Sequence, residues 1–251
     1  MLVADLQVRA YDEQRVSARY KMATERDEFE AAFRLVYEGY LHRGLTPPNA
    51  FQMRITPFQL SPAAQVFVAL RNKDVVSTLT LVEDSVHGLP MESLFEDEIQ
   101  AFRQQGLRIA EVSALTHGLP KERLNWEIAE TLMSLMAQFA VTRNIDRLLI
   151  TVCPQHSAFY RRIAFRPFSE VRSYAEVCGK PALAMRADLH RLDVDHPALY
   201  ERFFSRRFPA YELAPRRMPP ALVNHFNGIL SAMGPDSAFG MGQQPAYQKA
   251  G

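Results

Sequence analysis

A carboxylate and a hydroxyl lie two residues apart in the segment EVSAL, residues 111–115. Residues 107–115 alternate in hydropathy like a β-strand, so every second side chain shares a face. The side chains on one face are then Leu107, Ile109, Glu111, Ser113 and Leu115. There Glu111 can act as a general base and Ser113 can form hydrogen bonds. Two alternatives stay open, because Glu111 can instead pair with Arg34 or Arg54, and Ser113 can be purely structural.

A second segment with chemical potential is HSAFYRRIAFRPF, residues 156–168. If it starts as a short helix, Phe159 and Ile163 share one face and Tyr160 points about 100° away. Tyr160 can then line a cleft and offer its phenol as a donor. The alternative is an ordinary amphipathic helix in which Tyr160 only packs.

Helices and strands must position these side chains. Apolar spacing predicts a first helix after a capping box at residues 24–27, ending near Gly44. Residues 65–70 and 75–82 read as an antiparallel hairpin. The other predicted elements are helices at 93–105, 122–143, 156–163, 197–206 and 221–233, and strands at 147–152 and 181–188.

The bulk composition excludes several classes of protein. The 251 residues include 23% charged residues and carry a formal net charge of +1, so no nucleic-acid partner is expected. No run approaches the roughly 18 apolar residues of a transmembrane segment. The N-terminus lacks a signal-peptide core, so we expect a cytoplasmic protein. The seven histidines show no spacing such as HExxH, so neither a metal site nor a bound cofactor is expected.

Residues 156–168 resemble the element of the GNAT fold in which a short helix ends in FYxxxGF, with Ala164 in place of the usual glycine. The resemblance implies an α/β protein with a mixed α+β sheet and the GNAT acyl-CoA N-acyltransferase fold. Its two central strands, here 107–115 and 147–152, splay apart around the long helix between them. In this family the splay receives the pantetheine arm of an acyl carrier, and its backbone N–H groups stabilise the oxyanion.

The acyl donor follows from the segment before the long helix. GNAT enzymes that use coenzyme A carry an R/Q-x-x-G-x-G/A loop there, whose N–H groups bind the pyrophosphate. The present residues 116–125 read THGLPKERLN and lack that loop. Lys121 and Arg123 can still hold the single phosphate of phosphopantetheine, or they are solvated loop charges. We therefore expect acyl-acyl carrier protein as the donor, with acyl-CoA as the alternative.

The resemblance narrows over residues 20–189 to the long-chain N-acyl amino acid synthases, relatives of the acyl-homoserine lactone (autoinducer) synthases. The segments that carry it are YKMATERDEFEAAFRLVYEGYLHRGL, VVSTLTLVEDSVHGLPMESLF, AEVSAL and NIDRLLITVCPQHSAFYRRIAFRPF. Autoinducer synthases have E-x-S-R-F on the equivalent strand, where Ala114 replaces the arginine. Val36 and Tyr40 stand where the resemblance places the helix arginine of those synthases, and FQMRITPFQL offers no acidic pair. These departures favour acylation of an amino acid.

The resemblance implies roles for individual residues. Glu111 is the proposed base, Ser113 binds the acceptor carboxylate or the tetrahedral intermediate, and Tyr160 protonates the leaving thiolate. The predicted acyl- and pantetheine-binding residues are Val112, Ala114, Leu115, Lys121, Arg123 and Phe159. The predicted acceptor-binding residues are Arg34, Tyr37, Arg54, Thr78 and Thr80. Arg143, Arg147, Arg161 and Arg162 either form a basic patch for an acidic carrier protein or are an ordinary solvated face.

The sequence thus predicts an N-terminal arm (1–19), a GNAT domain (20–189), a C-terminal helical extension (190–233) and a disordered tail (234–251). The expected activity transfers a medium or long acyl chain from acyl carrier protein to the α-amine of an amino acid. Two alternatives are a coenzyme A-dependent N-acetyltransferase and a non-catalytic module that binds an acyl carrier or lipid. The extension either covers the acyl tunnel or packs on the back of the sheet.

Overall fold

The computed structural model describes residues 18–117 and 126–234. Its strands are β1 (Arg19–Met22), β2 (Ala64–Arg71), β3 (Asp74–Glu83), β4 (Ile109–His117), β5 (Arg147–Val152), β6 (Arg166–Pro167), β7 (Arg172–Tyr174) and β8 (Lys180–Asp188). Its helices are α1 (Arg26–His42), α2 (Glu92–Gln104), α3 (Trp126–Thr142), α4 (Ser157–Arg161), α5 (Leu192–Asp195), α6 (Pro197–Phe204) and α7 (Pro220–Met233). None of the helices in this part of the chain is long and apolar enough to cross a membrane.

The strands form a mixed sheet with the order β1-β2-β3-β4-β5-β8-β6, and β7 pairs with β8. β4 and β5 are parallel, whereas the other described pairs are antiparallel. A parallel pair needs a crossover connection, and α3 lies in the one between β4 and β5. The predicted α/β class with a mixed sheet is therefore confirmed.

Helices cover both faces of the sheet. α3 packs on the face that carries Phe67, Leu81 and Leu148, which we call the α3 side. α1 and α2 cover the opposite face, which we call the α1–α2 side. Its apolar residues form two separate clusters, one around Phe33 of α1 and one around Phe95 of α2.

α1 follows the predicted apolar stripe, with Phe29, Phe33 and Val36 buried. Its capping box lies one residue later than predicted, with Glu25 as the N-cap and Glu28 as the partner. The reason is that the Glu28 carboxylate accepts the N–H groups of both Thr24, at 2.9 Å, and Glu25, at 3.2 Å. The helix is thereby anchored at its start.

The C-terminal extension packs on both sides of the sheet. On the α3 side, Gln138 donates to the carbonyl of Arg206 at 2.7 Å and accepts the N–H of Phe208 at 3.2 Å. The Arg216 N–H then reaches Gln65 Oε1 of β2 at 2.8 Å. On the α1–α2 side, Phe226 of α7 is fully buried against the ring of Phe33, with centroids 5.1 Å apart.

Candidate active site

A β-bulge in β4 determines where its side chains point. Ser113 pairs with Thr80 and Thr116 pairs with Thr78, so Ala114 and Leu115 together stand opposite one residue of β3. Ala114 takes a left-handed φ of 56°, the conformation of the first residue of a G1-type bulge. The bulge resets the alternation, and Leu115 packs on the α3 side. The prediction that Leu115 shares a face with Glu111 was therefore wrong.

β4 and β5 separate directly after Glu111. Their pairing runs from Ile109 opposite Arg147 to Glu111 opposite Leu149 and goes no further among the described residues. β5 nevertheless continues along β8 to Val152, and β4 continues along β3 to His117. The predicted splay of the central strands is present, and we call this opening the split.

The α1–α2 side of the split is polar. Glu111 pairs with Val82 and Ser113 with Thr80, so their side chains share the face of β3 and β4 that lies between the two apolar clusters. Thr78, Thr116 and Thr151 lie on the same face. Glu111 is only 3% exposed. The backbone N–H of Met91, at the start of α2, donates to its Oε2 at 2.8 Å.

The hydroxyl groups of this face differ in their partners. Thr78 donates to the carbonyl of Phe67 at 3.0 Å. The buried Oγ1 atoms of Thr116 and Thr151, in contrast, have no hydrogen-bond partner within the described residues. Sequence reasoning missed both. The available signal was a threonine in each of the two strands that were predicted to splay apart.

The α3 side of the split is apolar and aromatic. Val112 and Leu115 of β4 lie there, as do Ile150 and Val152 of β5. Phe159 packs edge-on against Trp126, with ring centroids 5.3 Å apart, and against Tyr160 at 5.0 Å. The predicted acyl-binding residues Val112, Leu115 and Phe159 therefore all pack against the same apolar cluster on the α3 side. Lys121 and Arg123 lie outside the described residues.

Tyr160 is partly buried beside the split, where its ring packs against Phe159 and Phe165. Burial raises the pKa of Tyr160 to about 12, and the nearby Tyr40 and Cys153 add to this rise, whereas the Arg43 guanidinium opposes it. Tyr40 and Arg43 lie at the C-terminal end of α1, and Cys153 directly follows β5. The phenol therefore stays protonated at neutral pH.

Three predicted acceptor-binding residues have other contacts. Arg34 is exposed on α1 and donates to the carbonyl of Phe51 at 3.3 Å. The buried Tyr37 hydroxyl accepts the N–H of Asn49 at 3.1 Å. The guanidinium of Arg54 lies 4.5 Å above the ring of Tyr40. Arg34 and Tyr37 thus hold residues 49–51, which follow α1, whereas Arg54 lies beside Tyr40 near the C-terminal end of α1.

The four arginines predicted to form one basic patch do not lie on one surface. Arg147 is buried and pairs with Asp188, because its strand lies in the middle of the sheet. Arg143 pairs with Glu83 at 3.0 Å. Arg161 and Arg162 are exposed beside the split. The prediction was wrong for Arg147, and only Arg161 and Arg162 form an exposed pair.

Comparisons with known proteins agree with this architecture. The family model described as N-acyl amino acid synthase FeeM matches residues 31–188. The solved structure of FeeM, an N-acyl amino acid synthase from uncultured soil microbes, aligns with a TM-score of 0.63 and 24% identity, covering 69% of this chain and 93% of FeeM. No curated protein matches the sequence significantly.

Two autoinducer synthases share the fold. The acyl-homoserine lactone synthase LasI aligns with a TM-score of 0.56 at 12% identity, over 77% of this chain and 96% of its own. BjaI, a coenzyme A-dependent acyl-homoserine lactone synthase solved with SAM and isopentyl-CoA, aligns with a TM-score of 0.56 at 14% identity, over 84% and 99%. The family match spans more than half of the chain. The chain therefore belongs to the FeeM N-acyl amino acid synthase family and is an acyltransferase.

Proposed function

We propose that this enzyme transfers a medium or long acyl chain from acyl carrier protein to the α-amine of an amino acid. The observation that carries the proposal is the difference between the two sides of the split. The α3 side presents Val112, Leu115 and Phe159, which suit an acyl chain. The α1–α2 side presents Glu111, Ser113 and threonine hydroxyls, which suit an amino acid. The donor and the acceptor then meet between the diverging strands.

In the proposed mechanism, the acceptor nitrogen attacks the thioester carbonyl carbon and forms a tetrahedral intermediate. Glu111 takes the proton from the nitrogen, directly or through a water molecule. Backbone N–H groups along the unpaired edge of β4 stabilise the oxyanion. Collapse of the intermediate breaks the C–S bond, forms the amide and releases the thiolate of the carrier.

The pKa of Tyr160, about 12, refines its proposed role at the leaving thiolate. A free thiol has a pKa of about 8.5, so full transfer of the phenol proton to the thiolate is unfavourable. A hydrogen bond from the neutral phenol requires no such transfer and still stabilises the developing charge. We therefore assign Tyr160 as a hydrogen-bond donor, and the thiolate takes its proton from solvent.

The choice of donor rests on charge and on the absent loop motif. THGLPKERLN has no glycine-rich pyrophosphate loop, and the exposed Arg161 and Arg162 beside the split suit an acidic carrier protein. Acyl-CoA is the alternative donor. Its use by this enzyme would imply that residues 116–125 bind the pyrophosphate in another way.

The experiment incubates the purified protein with palmitoyl-acyl carrier protein, palmitoyl-CoA or acetyl-CoA and a mixture of amino acids. Mass spectrometry then detects N-acyl products. We expect N-palmitoyl amino acids, formed faster from the carrier protein. Products from acetyl-CoA alone would instead identify a coenzyme A-dependent N-acetyltransferase. Binding of the palmitoylated carrier without turnover of any donor would identify a non-catalytic module.

A further inference from the structure

Thr151 is a polar side chain in the buried central strand β5, between Ile150 and Val152. Its Oγ1 atom is shielded from solvent and has no hydrogen-bond partner within the described residues. A buried hydroxyl without a partner lowers stability, because its bonds to water are lost without replacement. A valine of nearly the same shape would avoid this loss. The hydroxyl is therefore available for a hydrogen bond to a bound ligand.

Thr151 faces the polar side of the split. It is two residues beyond Leu149, which pairs with Glu111, so its side chain lies on the α1–α2 side with Glu111. Ser113 is likewise two residues beyond Glu111 on the other strand. Ser113 and Thr151 therefore lie on opposite edges of the split, at the same height, one step beyond the carboxylate.

The threonines of this face fall into two groups, because Thr116 and Thr151, at the split, lack a hydrogen-bond partner within the described residues, whereas Thr78 has one. The Thr78 hydroxyl is fully buried and donates to the carbonyl of Phe67 at 3.0 Å. Thr151 is itself only partly buried, so a rotation about χ1 can turn its hydroxyl towards a ligand in the split.

We propose that Thr151 is an acceptor-positioning residue whose hydroxyl donates a hydrogen bond to the α-carboxylate of the amino acid. This inference rests on the proposed function. In an α-amino acid the amine and the carboxylate share one carbon, so the group that holds the carboxylate must lie close to the base. Two residues along a strand span about 6.6 Å and neighbouring strands lie about 4.8 Å apart, so Thr151 and Glu111 are about 8 Å or more apart at their Cα atoms, close enough for both side chains to reach one amino acid.

The test compares Thr151→Val and Thr151→Ser with the wild type, and uses Thr142→Val as a matched control. Thr142 lies at the C-terminal end of α3, away from the split, and its hydroxyl bonds to the Phe139 carbonyl. Steady-state kinetics give KM for the amino acid and for the acyl donor. We expect Thr151→Val to raise the KM for the amino acid about tenfold or more, the loss of one hydrogen bond to a charged group. The donor KM should stay unchanged, and Thr151→Ser should restore acceptor binding.

Two further measurements separate positioning from a structural role. Thr151→Val should unfold at the same or a higher temperature than wild type, because it removes an unsatisfied group. The KM for a decarboxylated amine acceptor should be the same in Thr151→Val as in wild type. An unchanged KM for the amino acid, a clear drop in Tm, or an equal loss with the decarboxylated amine would each overturn the inference.

The two levels of the proposal can fail separately. If the wild-type enzyme acylates no amino acid from any donor, the proposed function fails and the role of Thr151 fails with it. If the wild type is active and Thr151→Val has the same acceptor KM, only the inference fails.

Discussion

The backbone N–H of Met91 donates a hydrogen bond of 2.8 Å to Glu111 Oε2. Met91 is the N-cap residue of α2, which is kinked at Phe95, so the carboxylate accepts one of the backbone N–H groups that the start of a helix leaves unpaired. The bond fixes the orientation of a side chain that is almost fully buried at the point where β4 and β5 separate. A carboxylate held in this way is oriented for its proposed role as the base.

Replacing Glu111 with glutamine tests that role. The amide oxygen of the new side chain would still accept the Met91 N–H, so the fold should be retained, but the side chain can no longer accept a proton at neutral pH. We expect kcat to fall by about 10²–10⁴-fold, with Tm within a few degrees of wild type. Glu98→Gln, which weakens the partly buried ion pair between α2 and Arg172 of β7, serves as the control and should keep its kcat. A Glu111→Gln enzyme within twofold of wild type would remove Glu111 from the mechanism.

The raised pKa of Tyr160 predicts a loss of stability in strong alkali. The unfolded chain ionises this phenol near pH 10 and the folded chain near pH 12. Between these values the unfolded state binds fewer protons, so the free energy of unfolding falls as pH rises, by about 2–3 kcal/mol at pH 12. Denaturant titrations from pH 8 to 12 should show a larger fall in wild type than in Tyr160→Phe, in which the buried Tyr20, whose pKa is also raised by burial, still contributes. Tyr211→Phe, at an exposed tyrosine, should behave like wild type. Parallel curves for wild type and Tyr160→Phe would contradict the assignment.

Arg161 and Arg162 provide the prediction for the donor. Reversing both charges should raise the KM for acyl-acyl carrier protein about tenfold at low ionic strength, because the pair is proposed to attract an acidic carrier. The effect should shrink in high salt. The KM for a short acyl-pantetheine thioester, which lacks the carrier protein, should stay unchanged. Arg207→Glu/Arg217→Glu makes the same charge change on the C-terminal extension and should leave both KM values as in wild type. An equal effect with both donors would place these arginines at the thioester instead of the docking surface.

Phe226 predicts how much the C-terminal extension contributes to stability. Its ring is fully buried and packs edge-on against Phe33 at 5.1 Å and Phe29 at 6.3 Å. Phe226→Ala should lower the free energy of unfolding by about 3–5 kcal/mol. Urea titration followed by circular dichroism measures this loss. Val194→Ala, at a 70% exposed side chain, should change it by less than about 0.5 kcal/mol. A small loss at Phe226 would mean that α7 detaches easily from α1.

Strand positions followed closely from local sequence, whereas the bulge did not. β5 has the predicted bounds, because its apolar run and its flanking polar residues are local features. The bulge at Ala114 has no such signal, since its left-handed φ of 56° would be indicated by glycine and not by alanine. Ala164 has a φ of 68° at the position where the GNAT motif has glycine, which explains that preference. The splay of β4 and β5 was predicted from the resemblance to the GNAT fold and not from the alternation of apolar residues.

Long-range contacts limited the prediction of individual side chains. Arg147 looked like a surface charge, but it pairs with Asp188, 41 residues along the chain. The Glu111–Met91 bond joins a strand to the start of a preceding helix, which no spacing rule relates. Thr116 and Thr151 do not stand out in the sequence, because their hydroxyl groups become candidate ligand contacts only where β4 and β5 separate.

The polarity difference across the split also bears on how a product would leave. On the proposed function, the new amide bond forms in the plane of the sheet, with a charged head group on the side of Glu111 and a hydrocarbon tail on the side of Phe159. A product bound in this way would be held at both ends and would extend through the sheet from one face to the other. One end must cross the split before the product can dissociate. Dissociation would therefore become slower as the acyl chain becomes longer, and product release would limit the turnover of this enzyme.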